Sequence, residues 1–455
     1  MAQAALNMTA ANTRYPVVIA GLGLTGLSCA RYLASRGETF AVTDTRTDPP
    51  MAAALRQELP DVPLILGGFD PGLLLDARRI IISPGVAPDE PAIQAAREAG
   101  VEVIGDVELF CQMERRPIIA ITGTNGKSTV TSLVGEMLKR AGRKAGIAGN
   151  IGLPVLDLVA DPDLEIFVLE LSSFQLETIE SLDASAAVVL NITQDHLDRY
   201  RSIKEYVAAK QRIYNGTGVM VINLDDALTS EMRLPGRSVI GFGLNEPEGE
   251  DLGLRNGWLA RGDRPLMPVS DLRLCGRHNA VNCLAALALG YAAGIPEAAM
   301  LDTLRNYAGL PHRCQRVAEI NGVVWYDDSK GTNPGASCSA IIGLGGDRNV
   351  ILIAGGIGKG ADFSVLRPAI SGRLKSAILI GRDAGLIEEA IGGVVETSFA
   401  ADMEDAVRLA TAQARAGDVV LLSPACASFD MFRDYRHRGE VFIDAVRRLQ
   451  ETESC

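Results

Sequence analysis

The residues with the clearest capacity for chemistry lie in a glycine-rich turn. Residues 120–129 read AITGTNGKST and follow the apolar run PII. Apolar residues then recur at helical spacing from Val130 to Ala141. Backbone N–H groups at such a strand–turn–helix junction bind phosphate, and the helix dipole adds partial positive charge. We therefore predict a nucleotide phosphate site, in which Lys127 reaches the β- and γ-phosphates and the Ser128 hydroxyl ligates Mg²⁺.

The spacing of this turn departs from the usual phosphate-loop pattern. Ile121 stands where the first glycine of that pattern would be, and Gly123 follows two residues later. An ordinary turn between a strand and a helix is therefore an alternative for this segment. The apolar strand before the turn and the amphipathic helix after it favour the phosphate site.

Three more residues of interest follow the next strands of the chain. Glu170 lies near the end of the apolar segment FVLELSS, His196 follows the strand AAVVLNIT, and Lys210 lies on the next helix. Ligands of a parallel sheet gather at the carboxyl ends of its strands. We therefore expect Glu170 beside the phosphate turn as a Mg²⁺ ligand, with pairing to an arginine as the alternative. The position of His196 after a strand and beside Asp195 favours a functional role for it. For Lys210, local sequence alone predicts a solvated surface lysine.

A second glycine turn lies near the start of the chain. The segment VVIAGLGLTG places Gly21, Gly23 and Gly26 after a strand, and Asp44 ends the next strand. This pattern is typical of dinucleotide-binding folds, in which glycines let a helix approach a strand and a phosphate closely. A lone pattern of this kind is a weak indication of a nicotinamide cofactor. It is equally consistent with another phosphate-bearing ligand or with tight packing of the helix on the strand.

The elements that must position these residues alternate between short apolar strands and helices. This alternation occurs in three blocks, which predicts an α/β fold of parallel sheets covered on both faces. Three blocks also match a length of 455 residues, at roughly 150 residues per domain. The block boundaries fall near residues 105–116 and 309–316, so we predict domains at 1–106, 107–311 and 312–455.

Composition and charge exclude several classes of protein. Lys and Arg number 44 against 56 Asp and Glu, for a formal charge of -12, so we expect no nucleic-acid partner. No apolar run of ~18 residues occurs and the first residues lack a signal-peptide pattern, so we expect no membrane insertion. The eight cysteines are scattered without a CxxC pair, which is typical of reduced thiols in the cytoplasm. Residues 229–272 are polar and weakly periodic, which predicts a small antiparallel excursion within the second block.

A set of motifs in fixed order resembles the Mur ligases. It runs from about residue 15 and comprises GLGLTG, GTNGKST, LELSSFQLE, NITQDHLDRY, AAKQRIY, GRHNAVN, LPHR, DDSKGTNP, GGIGKGADF and SPACASFD. The motif GTNGKS occurs across the Mur and folylpolyglutamate ligases, whereas GLGLTG, LELSSFQLE and SPACASFD resemble the members that use D-glutamate. The resemblance implies a Rossmann-like amino-terminal domain, a P-loop ATPase central domain and a Rossmann-like carboxy-terminal domain.

The resemblance also implies a reaction with its substrates and cofactors. The family forms an amide through an acyl phosphate at the expense of ATP, here by adding D-glutamate to UDP-N-acetylmuramoyl-L-alanine in cytoplasmic peptidoglycan precursor synthesis. The implied cofactors are ATP, two Mg²⁺ ions and a CO₂-derived carbamate on Lys210, and we expect a monomer. A protonated lysine, with an ordinary pKa of ~10.4, repels Mg²⁺, whereas a carbamate offers oxygens that a hard cation accepts.

Individual residues match the family's motifs for each ligand. The resemblance implies catalytic roles for Lys127, His196, Lys210 and Lys359. It implies magnesium ligation by Ser128, Glu170, His196 and Lys210. It implies ATP contacts by Gly123, Thr124, Asn125, Gly126, Lys127, Ser128, Thr129, Asn279, Asn282, Arg313, Asp328 and Lys330. It implies UDP-sugar contacts by Leu24, Thr25, Asp44, Thr45, Arg46, Ser83, Gly85 and Asn150. It implies D-glutamate contacts by His196, Thr332, Lys359, Ser428 and Tyr435, the last standing where the family pattern has Phe.

Other functions stay open from the sequence. A different ligase of the superfamily, such as folylpolyglutamate synthase or another Mur ligase, shares the central motifs. The diaminopimelate- and lysine-adding Mur ligases carry a DNPR-type motif, which the corresponding region GGIGKGADF lacks. An NAD-dependent oxidoreductase would use the first glycine turn for its cofactor, and a non-catalytic nucleotide-binding switch would use the central turn without an acceptor.

Overall fold

The computed structural model describes residues 14–193, 195, 199–274 and 276–453. These residues form three sheets, each built from one continuous stretch of the chain. Consecutive residues of a strand point to opposite faces, and the apolar strands here bury both sets of side chains. Helices therefore cover both faces of the sheets, which confirms the predicted three-part α/β fold.

The first sheet is parallel and has the strand order β3-β2-β1-β4-β5. Its strands are β1 (Val17–Ala20), β2 (Phe40–Asp44), β3 (Leu64–Leu66), β4 (Arg79–Ile82) and β5 (Glu102–Gly105). Its helices are α1 (Leu24–Ser35), α2 (Ala52–Glu58), α3 (Pro71–Asp76) and α4 (Pro91–Glu98), with α5 (Asp106–Met113) leading to the next sheet. The first glycine turn lies between β1 and α1, at the carboxyl edge of this sheet.

The central sheet has the order β14-β13-β12-β11-β10-β9-β6-β8-β7. Its strands are β6 (Ile118–Thr122), β7 (Ala145–Gly149), β8 (Ile166–Glu170), β9 (Ala186–Val189), β10 (Val219–Asn223), β11 (Val239–Phe242), β12 (Leu252–Arg255), β13 (Trp258–Arg261) and β14 (Arg264–Pro268). Its α-helices are α6 (Lys127–Arg140), α7 (Ser173–Leu176), α8 (Ile203–Gln211), α9 (Ala227–Ser230), α10 (Arg277–Ala292) and α11 (Glu297–Asn306). The strands β12, β13 and β14 pair antiparallel at the sheet edge, which confirms the predicted excursion.

The third sheet has the order β15-β16-β20-β17-β18-β19. Its strands are β15 (Gln315–Ile320), β16 (Val323–Asp327), β17 (Val350–Gly355), β18 (Leu374–Ile380), β19 (Glu396–Phe399) and β20 (Val419–Leu422). Its α-helices are α12 (Pro334–Leu344), α13 (Arg367–Ile370), α14 (Ala384–Ile391), α15 (Met403–Gln413) and α16 (Tyr435–Glu453). Short 3₁₀ helices at Val155–Leu158, Arg212–Tyr214, Val269–Asp271 and Phe363–Leu366 complete the described elements.

The hydrophobic core joins the first two sheets more closely than the third. One continuous cluster includes Ile19 and Leu33 of the first domain and Phe167, Leu169 and Ile222 of the central domain. The two clusters of the third domain lie on opposite faces of its own sheet. The third domain therefore meets the rest of the molecule mainly through polar groups. No helix in the described ranges is long and apolar enough to span a membrane.

Candidate active site

The central phosphate turn connects β6 to α6 and requires its glycines. Gly126 caps α6 with a φ of 84°, in the left-handed region where glycine is favoured. A Cβ on Gly126 would lie 2.5 Å from Oδ1 of Asn282, so a side chain there collides with α10. The first N–H groups of α6 thus face open space at the carboxyl edge of the sheet, as an anion site needs.

Lys127 lies across this turn. Its Nζ donates hydrogen bonds to the carbonyl oxygens of Gly123 at 2.8 Å and Thr124 at 2.9 Å. Desolvation lowers the pKa of the Lys127 ammonium, and the negative charge of Glu170 opposes that shift. The ammonium is therefore held beside the helix N-terminus, where two positive contributions act on one anion.

Glu170 ends β8 with an unsatisfied carboxylate oxygen. The residue is 1% exposed, and its Oε1 accepts a hydrogen bond from Nδ2 of Asn150 at 2.7 Å. Its Oε2 is buried and has no hydrogen-bond partner among the described residues. A buried carboxylate is costly without a partner. Pairing to an arginine, the alternative for Glu170, is not seen among the described residues, and this oxygen is suited to bind a cation.

The other proposed metal ligands differ in what the structure describes. The Ser128 hydroxyl accepts a hydrogen bond from Nη2 of Arg313 at 2.7 Å. His196 lies outside the described residues, so its assignment to metal, catalysis and D-glutamate stays a prediction. Within the described residues, no group of three or more His, Cys, Asp or Glu side chains could hold a metal ion by itself.

Lys210 is buried, so the expectation of a surface lysine from local sequence is wrong. The residue is 1% exposed, and its Nζ donates to Oγ1 of Thr122 at 3.2 Å and to the carbonyl of Gly123 at 3.0 Å. Burial, with the nearby Lys127 charge, lowers the pKa of Lys210 well below its ordinary value. The helix α8 brings Lys210 under the phosphate turn, which the local sequence could not reveal. Burial therefore favours the neutral form of its amine.

A cavity of about 460 Å³ lies above the phosphate turn, between the central and third domains. Central-domain residues on its wall include Lys127, Asn150, Glu170, Asp195 and Lys210. Third-domain residues on its wall include Arg313, Lys330, Thr332, Asn333 and Lys359. Nδ2 of Asn333 donates to Oδ2 of Asp195 at 3.1 Å, so the two walls touch.

A narrower cleft adjoins this cavity beside the start of α6. Its wall contains the sequence-predicted nucleotide residues Asn125, Gly126, Thr129, Asn279, Asn282, Arg313, Asp328 and Lys330. Desolvation lowers the pKa of Lys330 to about 8, and the nearby Arg313 charge adds to that shift. Burial raises the pKa of Asp328 to about 7, against the hydrogen bond that it accepts from Ser423.

A third cavity, of about 590 Å³, opens beside the first glycine turn. Seven of the eight predicted UDP-sugar residues line it, namely Thr25, Asp44, Thr45, Arg46, Ser83, Gly85 and, from the central domain, Asn150. The central domain also contributes Gln175. Leu24 is not part of that wall, and it is 66% exposed. Oδ2 of Asp44 accepts from the Leu22 N–H at 2.7 Å, and Arg46 donates to both of its carboxylate oxygens. These Arg46 hydrogen bonds lower the pKa of Asp44 to about 2.

The residues predicted for D-glutamate separate into two groups. Thr332 and Lys359 line the central cavity. Ser428 is 2% exposed and Tyr435 begins α16, and neither is part of that wall. The Tyr435 ring instead lies under the Lys330 ammonium, 4.1 Å from ring centroid to Nζ. A tyrosine in place of phenylalanine therefore still presents an aromatic face to a cation.

Tyr206 and Asn333 are among the residues of the cavity wall that were missed from the sequence. Tyr206 lies one helical turn before Lys210, and its hydroxyl is 3.2 Å from Oγ1 of Thr124. The i, i+4 spacing on α8 is the signal that places both on one helix face. Asn333 caps α12 through a hydrogen bond from the Ala336 N–H, with Pro334 after it. The Asn-Pro pair signals such a helix start.

Comparisons with known proteins agree with this arrangement. Three family descriptions match in succession: the Mur ligase MurD-like N-terminal domain over residues 15–105, the Mur ligase middle domain over 121–290, and the Mur ligase glutamate ligase domain over 312–426. The chain belongs to the Mur ligase family. The three sheets correspond, in order, to these three matched segments. The cavities described above are lined by residues of the segments and of the short stretches between them.

Named relatives of this Mur ligase cover almost its whole length. The UDP-N-acetylmuramoylalanine--D-glutamate ligase of Nitrosococcus oceani is 51% identical over 436 residues, covering 95% of this chain and 96% of the relative. That of Methylobacillus flagellatus is 52% identical over 446 residues, covering 96% and 98%. The solved UDP-N-acetylmuramate-alanine ligase of Thermotoga maritima is 20% identical with a TM-score of 0.58, covering 96% of this chain and 99% of that one. The last likeness supports the fold alone.

Proposed function

We propose that this Mur ligase joins D-glutamate to UDP-N-acetylmuramoyl-L-alanine at the expense of ATP. The observation that carries the proposal is the continuity of its three cavities. Asn150 lines both the first-domain cavity and the central cavity. Arg313 and Lys330 line both the central cavity and the nucleotide cleft. A UDP-sugar held by the first domain would therefore extend its carboxylate toward the γ-phosphate of a nucleotide held at the central turn.

The first chemical step transfers a phosphoryl group. The carboxylate oxygen of the UDP-sugar substrate attacks the γ-phosphorus of ATP, and the bond from that phosphorus to the bridging oxygen of ADP breaks. Catalysis of such a transfer is mainly positioning and neutralisation of charge on the phosphoryl oxygens. Lys127 and the first N–H groups of α6 supply that charge from the central domain, and Arg313 and Lys330 supply it from the third domain.

The second step forms the amide. The unprotonated amine of D-glutamate attacks the acyl carbon, and the resulting tetrahedral centre expels inorganic phosphate. Lys359 and Thr332 on the cavity wall would hold the carboxylates of D-glutamate, with Ser428 behind them. Because the wall comes from two domains, its closure excludes water that would hydrolyse the acyl phosphate. His196 or Asp195 could receive the amine proton.

Magnesium and a carbamate fit the central donor set. The unpartnered Oε2 of Glu170 and the Ser128 hydroxyl are hard oxygen donors, as Mg²⁺ requires. Bound Mg²⁺ would supply neutralisation of phosphate charge. The lowered pKa of Lys210 favours the neutral amine, which would add CO₂ with formation of an N–C bond and release of a proton. A carbamate on Lys210 would place an anion beside the Lys127 ammonium.

The test is phosphate release with ATP, Mg²⁺ and UDP-N-acetylmuramoyl-L-alanine, comparing D-glutamate, L-glutamate and no amino acid. We expect release that requires both the UDP-sugar and D-glutamate. Release without an acceptor, or only with a folate acceptor, would overturn the proposed substrate. The matched variants are Lys127→Ala and Lys139→Ala on the same helix, the latter side chain being 78% exposed and expected to be neutral.

A further inference from the structure

A fully buried arginine lies behind the third-domain wall of the central cavity. Arg438 is on the first turns of α16 and is 1% exposed. Burial lowers the pKa of its guanidinium to about 10, so the group stays charged at neutral pH. A buried cation is costly unless its hydrogen bonds are satisfied. Because an apolar side chain would fill this space at lower cost, we looked to the hydrogen bonds of Arg438 for its role.

The hydrogen bonds of Arg438 go to neutral oxygens of three separate loops. Nε donates to Oγ of Ser329 at 2.9 Å, and Nη2 donates to the carbonyl of Ser329 at 2.8 Å. Nη1 donates to the carbonyl of Cys426 at 3.1 Å and to that of Gly355 at 3.4 Å. One rigid guanidinium thus connects the ends of β16, β17 and β20.

Each of these loops carries a residue of the candidate active site. Ser329 lies between Asp328 and Lys330, which line the nucleotide cleft. Gly355 ends β17 and leads to Lys359, which lines the central cavity. Cys426 precedes Ser428 by two residues. Two of the loops are also connected to each other, because the Ile357 N–H donates to the Ala427 carbonyl at 2.8 Å and the Ala427 N–H donates to the Ile357 carbonyl at 2.9 Å.

We propose that Arg438 is a positioning residue that sets the three loops, and so fixes Lys330 and Lys359 for the nucleotide and D-glutamate. The inference rests on the proposed function. An arginine suits this role because its planar fork offers five N–H donors in fixed directions. A lysine at the same place has its three donors on one nitrogen, so it cannot reach acceptors on three loops in the same geometry.

The test compares Arg438→Lys and Arg438→Met with Lys375→Met, a control in the same domain. Lys375 lies on β18, outside the cavity walls, and pairs with Asp418 at 2.5 Å. For Arg438→Lys we expect a KM for D-glutamate raised roughly tenfold or more, a smaller rise in the KM for ATP, and an unchanged Kd for the UDP-sugar. For Lys375→Met we expect a lower Tm with unchanged KM values.

A purely structural role would change the outcome. It would lower the Tm or the active fraction of Arg438→Lys while the KM for D-glutamate stayed at the wild-type value, and that result overturns the proposal. If neither Arg438 variant folds, Ser329→Ala decides, because it removes the Nε acceptor, together with the bond from the Ser329 hydroxyl to the Tyr435 carbonyl, and keeps the Arg438 bonds to backbone carbonyls. We expect the same KM to rise severalfold. Absence of D-glutamate-dependent phosphate release by the wild-type enzyme would instead reject the proposed function.

Discussion

The two glycine turns of this protein share a strand–turn–helix backbone arrangement and differ in the charged side chains beside them. Both follow a buried parallel strand and open a helix, at Leu24 for α1 and Lys127 for α6. At the first turn, the carboxylate of Asp44 accepts the Leu22 N–H and neutralises Arg46. At the central turn, the ammonium of Lys127 lies on the loop itself.

This difference indicates that a glycine turn by itself specifies geometry, whereas neighbouring charges specify the ligand. The first turn needs its glycine for packing, since a Cβ on Gly26 would lie 2.0 Å from the carbonyl oxygen of Gly21. At the central turn, three cationic residues, Lys127, Arg313 and Lys330, line the same cavity. We therefore expect substitutions at the central turn to lower kcat strongly. Substitutions at the first turn should weaken the binding of one substrate only.

The largest effect is expected from Lys127→Ala. Removing this ammonium takes away a charge that acts on the transferring phosphoryl group, so kcat should fall by about 10³-fold or more. Steady-state phosphate release measures the loss, and Lys139→Ala should retain wild-type turnover. Near-normal activity of Lys127→Ala would contradict the assignment of phosphoryl transfer to the central turn.

A second large effect is expected from Lys210→Ala. Loss of the proposed carbamate should reduce turnover by roughly 100-fold, because an anion that would support a hard cation disappears. A short carboxylic acid added to the assay should restore part of the activity of Lys210→Ala. The exposed Lys204 on the same helix offers Lys204→Ala as a control. Failure of every short carboxylate to rescue would count against carbamylation.

A moderate effect is expected from Asp44→Asn at the first turn. The neutral amide loses the charge-assisted bonds with Arg46, so the loop and the cation it holds become misplaced. The KM for UDP-N-acetylmuramoyl-L-alanine should rise roughly tenfold, and the KM for ATP should stay constant. Glu58→Gln, in an exposed pair with Arg31, should change neither value. A shift in the KM for ATP alone would reverse the assignment of the two cavities.

The smallest effect is expected from pH. Lys330 has its pKa lowered to about 8, so it is protonated below that pH and neutral above it. Phosphate binding favours the protonated form, and the phosphates of ATP are already ionised in this range. The KM for ATP should therefore rise severalfold between about pH 8 and 9, as expected for a single titrating cation. Lys330→Met should have a higher KM for ATP at pH 8 and should not show this rise. If the KM of Lys330→Met rises with pH as it does in the wild-type enzyme, Lys330 is not the titrating group.

Much of the fold was predictable because its signals are local. The apolar runs that form β1, β2, β6, β8 and β9 were predicted as strands from the sequence. Shorter or less apolar strands were missed, including β3, β7 and β19. Their residues pack on neighbours that lie far away in the chain, so their strand conformation depends on tertiary contacts more than on intrinsic preference.

The sequence by itself determined the alternation of strands and helices in three blocks, the two glycine turns, and the motifs that mark the family. Each depends on residues close together in the chain. Only the tertiary structure decided that Lys210 is buried under the phosphate turn, that one oxygen of Glu170 has no partner among the described residues, and that Arg438 connects three loops. Burial and desolvation come from segments distant in sequence, so no local pattern encodes them.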